Sequence, residues 1–378
     1  MISRYLDAAA SAPLRPEARA TMLEVYDAFP GNPASVHSYG QRAHAVVENA
    51  RTQVAQACGV DTSEVIFTSG GTEANNLAVA GIALANPRGR RLVTTRIEHP
   101  SILETCRYLE KMHGFKVDYW DVDAAGRVCS QPLAPDTALV AMALANSEVG
   151  TVQKLPQVAG VPLLVDAVQA APALPVSLAA GAWPGPGAGI AAMALASHKF
   201  GGPQGVGALI VRRGVAVSPQ MHGGGQEQGL RSGTLNVAGI AGFGAAVAAL
   251  QKEGIGTRAQ ALVHSRERLI AGIVEQVPRA QLTGHRSERL PGHASFVFPG
   301  ISGEAILVAL DVAGFAVSSG SACAAGSTEP SPVLLACGFD ADTARSAVRF
   351  TLPEPLPPAE VDRIVEIVAR ECVAGGPC

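Results

Sequence analysis

The sequence reads as an α/β protein with a mostly parallel central sheet, helices on both of its faces, and a smaller α+β unit after it. Three observations carry this. At 378 residues the chain is long enough for a large core and longer than one single-core domain usually runs. Short β-rich runs alternate with helical patterns through the first two thirds. Those runs are continuously apolar rather than alternating, as expected for strands buried on both faces.

The strands expected in the large unit are Val65–Thr68, 92–95, 139–142, Leu163–Asp166 and Gly207–Val211. The apolar stretch 237–250 is one helix long, well short of the roughly 20 residues of a membrane span, and reads as a buried helix. Helical spacing over 259–277 precedes three further strand signals at 294–298, 315–317 and 348–350, the pattern of an α+β unit. The boundary is set near residue 255: a large domain at 14–254, and a small domain formed by 1–13 and 255–378. Pro-Gly-Pro-Gly at 184–187 and the prolines from Pro353 to Pro358 mark loops, and no internal repeat is visible.

Charged residues are 16% of the chain and the formal charge is −3, which gives no footprint for nucleic acid. The start lacks the charged leader and apolar run of a signal peptide, so a cytoplasmic protein is expected. Seven cysteines without a C-x-x-C pair support neither a disulfide framework nor a zinc site, and no metal is expected.

Four fragments carry chemistry. The run from Thr68 to Asn76 follows an apolar strand and opens a helix, gathering Gly70, Gly71 and Thr72 where free backbone N–H groups can cradle a phosphate. The glycines alone fit an ordinary strand-to-helix turn equally well. Asp166 ends a buried strand, where a carboxylate is costly without a partner; a protonated pyridine nitrogen would serve, and so would a helix cap. Lys199 stands between a strand and the turn Gly201-Gly202-Pro203, a setting that suits a desolvated, nucleophilic amine, against the plainer reading of a solvated loop lysine. Cradle, Asp and Lys in that order supply the anchor, the electronic tuner and the covalent tether that a pyridoxal-phosphate site needs. Last, Cys323 sits in the small-residue run from Ser318 to Ser327, a loop able to swing a thiol.

These stretches, together with Tyr5-Leu6-Asp7, the run from Gly31 to His37, Glu98-His99-Pro100, the run from Asn146 to Gly150, the run from Gly223 to Thr234, and Ser346 to Phe350, resemble the cysteine desulfurases of the class V aminotransferase group over nearly the whole chain. The resemblance implies the fold type I architecture of pyridoxal-phosphate enzymes and pyridoxal 5'-phosphate as cofactor. It implies that Lys199 binds the cofactor covalently, Asp166 pairs with its pyridine nitrogen, Gln169 bonds its phenolic oxygen and His99 stacks on its ring and shuttles protons. Gly71, Thr72 and His198 would hold the phosphate, with Thr234 reaching that of a neighbouring subunit in a homodimer. Asn32, Asn146 and Arg349 would bind L-cysteine, and Cys323 would take its sulfur as a persulfide and pass it to an acceptor protein. Iron–sulfur cluster assembly and tRNA thiolation are both served by such transfer.

Several positions depart from the family pattern. Ala196 stands where a phosphate-binding serine is usual, with Ser197 one place later. Ala8, Ser147, Gln204 and Pro353 replace a frequent Asn, Asn, Lys and Gly. The rivals are a selenocysteine lyase or cysteine-sulfinate desulfinase, which need no thiol nucleophile, and a scaffold that keeps the fold without catalysis. Lys199 and Cys323 together argue against the scaffold.

Overall fold

A computed structural model describes residues 4–28, 31–86, 88–158, 160–184, 189–319 and 329–374. Among them the strands are β1 (Arg4–Tyr5), β2 (Val65–Thr68), β3 (Arg91–Thr95), β4 (Lys116–Trp120), β5 (Thr137–Ala143), β6 (Leu163–Asp166), β7 (Ile190–Ala196), β8 (Gly207–Val211), β9 (Gln281–Leu282), β10 (His293–Val297), β11 (Phe315–Ala316) and β12 (Val348–Thr351). The helices are α1 (Pro16–Ala28), α2 (Ser38–Cys58), α3 (Gly71–Ala85), α4 (Pro100–His113), α5 (Val237–Glu253), α6 (Ile255–Gln276), α7 (Gly303–Val312), α8 (Pro332–Ala336), α9 (Ala341–Arg345) and α10 (Pro358–Ala374).

The central sheet has the order β2-β8-β7-β6-β5-β3-β4. It is parallel from β7 through β4, while β8 runs antiparallel to both β7 and β2. Neighbouring residues of each strand enter different cores. Val93, Val140 and Val165 join Val47, Val54, Phe243 and Val247 of α2 and α5 on one face. Leu92, Leu139 and Leu164 join Leu77 and Ile82 of α3 and Ile102 and Leu109 of α4 on the other. Both faces being buried is why these strands are apolar at every position.

Two strands of the central sheet were given no range by the sequence, for opposite reasons. The edge strand β4 has one neighbour and alternates exposed and half-buried residues. The other, β7, has the sequence Ile-Ala-Ala-Met-Ala-Leu-Ala, good helix-forming residues, yet all seven are buried between β6 and β8; here the sheet overrides local propensity.

Beyond α5, the antiparallel sheet β12-β10-β9 packs with α6, α7 and α10 around Phe296, Phe298, Phe350 and Leu269. The N-terminal segment belongs to this cluster. Leu6 is buried in it, β1 pairs with β11 in parallel, and residues 6 and 8 exchange backbone hydrogen bonds with Thr351. No helix among the described residues is long and apolar enough to cross a membrane.

Candidate active site

The carboxyl ends of β3, β5, β6 and β7 and the N-terminus of α3 surround a cavity of about 280 Å³. Ligands of open α/β sheets bind at this edge, where loops leave parallel strands and helices begin. Gly71, Thr72, His99, Asn146, Asp166, Gln169, His198 and Lys199 all line it, though they come from segments spread over more than a hundred residues. A larger cleft of about 380 Å³ also borders Lys199, but it is lined by Pro13, Leu14, Pro16 and the ion-paired Arg4 and Arg15 and offers no comparable acid–base set.

At one end, α3 presents its first amides, which have no intrahelical acceptor. Gly71 opens the helix where the backbone is pressed against the turn after β6: a Cβ there would lie 2.9 Å from Val168 Cγ2. The residue ending β7 is Ala196, and it lines the cavity without a hydroxyl. Ser197 does not replace it. Its Oγ is buried with no partner among the described residues, and a Cβ on Gly202 would come within 2.2 Å of it. His198 lines the same end, with Nδ1 3.3 Å from Ser11 Oγ. Burial first, and the neighbouring Lys199 charge second, push its pKa down to about 4, so the ring is neutral near pH 7.

Asp166 ends β6 and is only 6% exposed. Its Oδ1 accepts from Val168 N (2.9 Å) and its Oδ2 from Asn75 Nδ2 (2.7 Å), which fixes the carboxylate in place. Lys199 Nζ donates to the carbonyl oxygens of Ala9 and, at 2.9 Å, of Ala10. Gln169 Nε2 donates to the same Ala9 carbonyl at 2.9 Å. His99 caps α4, its Nδ1 accepting from Ser101 N. Burial lowers its pKa, Asp166 works against that, and Lys199 adds to it. Next to it Glu98 is buried, accepting from Thr95 Oγ1 and Ala143 N; burial, with a smaller contribution from Asp166, raises its pKa to about 8.

On the substrate side Asn146 is buried, donating to Ile97 O and accepting from Glu148 N and Val149 N. Arg349 is 2% exposed and stands behind the wall: Nη1 donates to the carbonyl of Ser147, a cavity residue, at 3.1 Å and Nη2 to Asp7 at 2.8 Å. Asn32 and Thr234 are exposed and do not line the cavity. Cys323 lies outside the described residues.

The segment around Thr234 is nevertheless well tied. Arg231 pairs with Glu73 on α3 at 2.9 Å. The Glu227 carboxylate, its side chain 1% exposed, accepts from Arg51 Nη1, Arg51 Nη2 and Phe67 N at 2.7–2.8 Å.

Sequence reasoning passed over Asn75, Ser101 and Glu98 as site residues. All three are buried polar side chains, Asn75 and Glu98 within motifs and Ser101 directly after one, and that placement could have drawn notice to them but not to their partners.

The donor set fits pyridoxal phosphate: an amide-rich helix start for the phosphate, a fixed buried carboxylate for the pyridinium, a lysine amine between them and an imidazole at the cavity wall.

Comparisons with known proteins agree. The profile of class V aminotransferases matches residues 4–364. Cysteine desulfurase IscS of Dictyoglomus turgidum is 38% identical over 359 residues, covering 92% of this chain and 89% of its own. An IscS-like cysteine desulfurase of Mycobacterium tuberculosis is 40% identical over 381 residues, covering 96% and 95%. Among solved structures, a NifS-like protein superposes with a TM-score of 0.88 at 34% identity, covering 98% of this chain and 99% of its own. SspA in complex with cysteine superposes with a TM-score of 0.79 at 30% identity, covering 94% and 100%. With the profile spanning almost every strand and helix that builds the cavity, the chain belongs to the class V aminotransferase family, among its cysteine desulfurases.

Proposed function

We propose that the chain is a cysteine desulfurase that converts L-cysteine to L-alanine, using pyridoxal phosphate in the cavity between α3 and Lys199 and taking the sulfur onto Cys323. The family uses this cofactor, and the observation that carries the assignment is the convergence of Thr72, His99, Asp166 and Lys199 on one cavity. When bound, pyridoxal phosphate supplies an electron sink for charge developing at the substrate Cα.

The chain's own residues supply the rest. The α3 amides, Thr72 and His198 hold the phosphate, and Asp166, immobilised by Asn75 and Val168 N, keeps the pyridine nitrogen protonated. Gln169 bonds the phenolic oxygen. Lys199 would tether the cofactor covalently, and its amine, when free, would move the Cα proton. Arg349 receives the substrate carboxylate with the planar fork that suits it, and Asn146 and Asn32 bind the substrate with it. The Cys323 thiolate attacks the substrate sulfur; an S–S bond forms, the Cβ–S bond breaks with its electron pair going to carbon, and Cβ takes up a proton. One cysteine and one thiol give one alanine and one persulfide.

The persulfide then passes to a sulfur-accepting protein. The active form is a homodimer in which the exposed Thr234, on a segment anchored through Glu227 and Arg231, completes the neighbouring phosphate site. Cys323→Ala tests the sulfur step. The variant should keep its bound yellow cofactor and form only traces of alanine from cysteine, with no persulfide. Near-normal alanine, or wild-type persulfide found on another cysteine by mass spectrometry, would overturn the mechanism and favour a lyase.

A further inference from the structure

Two side chains, bonded to one another, link Asp166 to His99. Asn75 Nδ2 is 2.7 Å from Asp166 Oδ2 and 2.9 Å from Ser101 Oγ, and Ser101 Oγ is 2.8 Å from His99 Nδ1. Asn75 comes from the start of α3 and Ser101 from the first turn of α4, so the chain of bonds crosses two helices whose N-termini meet at the cavity. All four residues line that cavity.

The direction of each bond follows from what each atom can do. An ionised carboxylate only accepts, so the Asn75 atom facing Asp166 is the amide nitrogen. Its second hydrogen points to Ser101 Oγ, which therefore accepts on that side and has its own proton to give to His99 Nδ1. The backbone N–H of Ser101, which can only donate, is directed at the same ring nitrogen from 3.1 Å. Nδ1 thus accepts from two donors, and the proton of the neutral ring is left on Nε2. Asn75 Oδ1, in a residue 1% exposed, is buried with no partner among the described residues. Turning the amide over would set an oxygen 2.7 Å from the Asp166 carboxylate, so the unsatisfied carbonyl is the lesser cost of making both N–H bonds.

We propose that Asn75 and Ser101 are positioning residues that hold His99 as its neutral Nε2–H tautomer and join its ring to the hydrogen-bonded chain that fixes Asp166. The inference rests on the reading of His99 and Asp166 as the groups that flank the cofactor. Its consequence is a division of labour: His99 presents a proton to the cavity rather than a lone pair, and the base at the substrate Cα is Lys199. Among the described residues, the charged groups bearing on His99 are Asp166 from the end of β6, which favours an imidazolium, and Lys199 from the turn after β7, which opposes it. The bonds from Ser101 act on the neutral ring in the same sense as burial.

The test is nitrogen NMR of the cofactor-loaded enzyme labelled with ¹⁵N-histidine, without substrate. The signal of His99, among the nine histidines, is identified by its loss in His99→Gln. In the wild type near pH 7.5, Nδ1 should have the shift of an unprotonated nitrogen and Nε2 that of a protonated one. Ser101→Ala, and independently Asn75→Leu, should move the tautomer ratio toward Nδ1–H by about fivefold, the factor expected for one lost hydrogen bond. Ser101→Thr, which keeps the hydroxyl, should restore the wild-type pattern. A protonated Nδ1 in the wild type, or an unchanged ratio in whichever of the two deletion variants retain the wild-type melting temperature, would overturn the proposal. Failure of the desulfurase reading would show separately, as absence of alanine with the resting tautomer intact.

Discussion

Arg51 and Glu227 offer a sharp test of how the segment bearing Thr234 is held. Both are buried, and the carboxylate takes two bonds from the guanidinium and one from Phe67 N. Arg51 also donates to Val65 O at 2.7 Å and stacks on the Phe67 ring, 4.8 Å from its centroid. The backbone at Glu227 and Gln228 is left-handed, with φ of 47° and 59°, a conformation that costs a non-glycine residue about 1 kcal/mol or more and persists only when its surroundings enforce it. Arg51→Met would leave the carboxylate buried with a single N–H partner. Breaking a buried pair from one side costs about 3–5 kcal/mol. With an unfolding entropy near 2.1 cal/mol/K per residue over 378 residues, the melting temperature should fall by roughly 4–6 °C. Adding Glu227→Gln removes the stranded charge while keeping an acceptor for Phe67 N, so the double variant should recover more than half of that loss. Scanning calorimetry of the wild type, both single variants and the double variant, all at pH 7, measures the coupling directly. If the double variant falls by the sum of the two single losses, the pair is not acting as a unit and the anchor must be sought elsewhere.

Further outcomes concern the cavity itself. Lys199→Ala should lose the visible absorbance of the lysine-bound cofactor and all turnover; a borohydride-reducible cofactor adduct in that variant would point to another lysine. Arg349→Lys should raise KM for cysteine by roughly ten- to a hundredfold, since each lost charge-assisted bond is worth about 1.5–3 kcal/mol; an unchanged KM would place the carboxylate clamp elsewhere. Glu98 predicts a pH effect. Its pKa is raised in the fold to about 8 from 4.5, so the folded chain keeps a proton that the unfolded chain releases. The stability this contributes is complete below about pH 4.5 and is lost as the pH rises through about 8. Glu98→Gln, which still accepts from Ala143 N, should flatten the fall in melting temperature between pH 5 and pH 8, and parallel curves would refute the assignment.

The large sheet was legible wherever burial on both faces wrote an unbroken apolar run, as in β2, β5, β6 and β8. It was illegible where that rule fails. With one neighbour and alternating exposure, β4 looks like surface, and the alanine-rich β7 was expected only as a strand without bounds ahead of Lys199, because what fixes it is two flanking strands. Lys199, Asp166 and Thr72 stood out by their settings in short motifs and His99 by the family resemblance, and all four line one cavity. Asn75 did not stand out, because its role lies in a bond to a residue 91 positions away. Spacing in sequence cannot announce such a contact. The same holds for Asp7, which meets Arg349 across 342 positions.

The N-terminal strap also has a consequence for how the protein is made. Residues 9 and 10 supply the carbonyls to which the Lys199 amine bonds, and Ala12 N donates to His198 O. Those residues are themselves held by Thr351, whose hydroxyl accepts from Ala9 N across 342 positions. A ribosome adding about 5–20 residues per second needs roughly 17–70 s to travel from the first of these partners to the second. Through that interval α3, β6 and β7, with the strap's partners His198 and Lys199, can already have been synthesised while the strap lacks its anchor on Thr351. The full set of bonds around Lys199 is therefore completed only once β12 has left the exit tunnel.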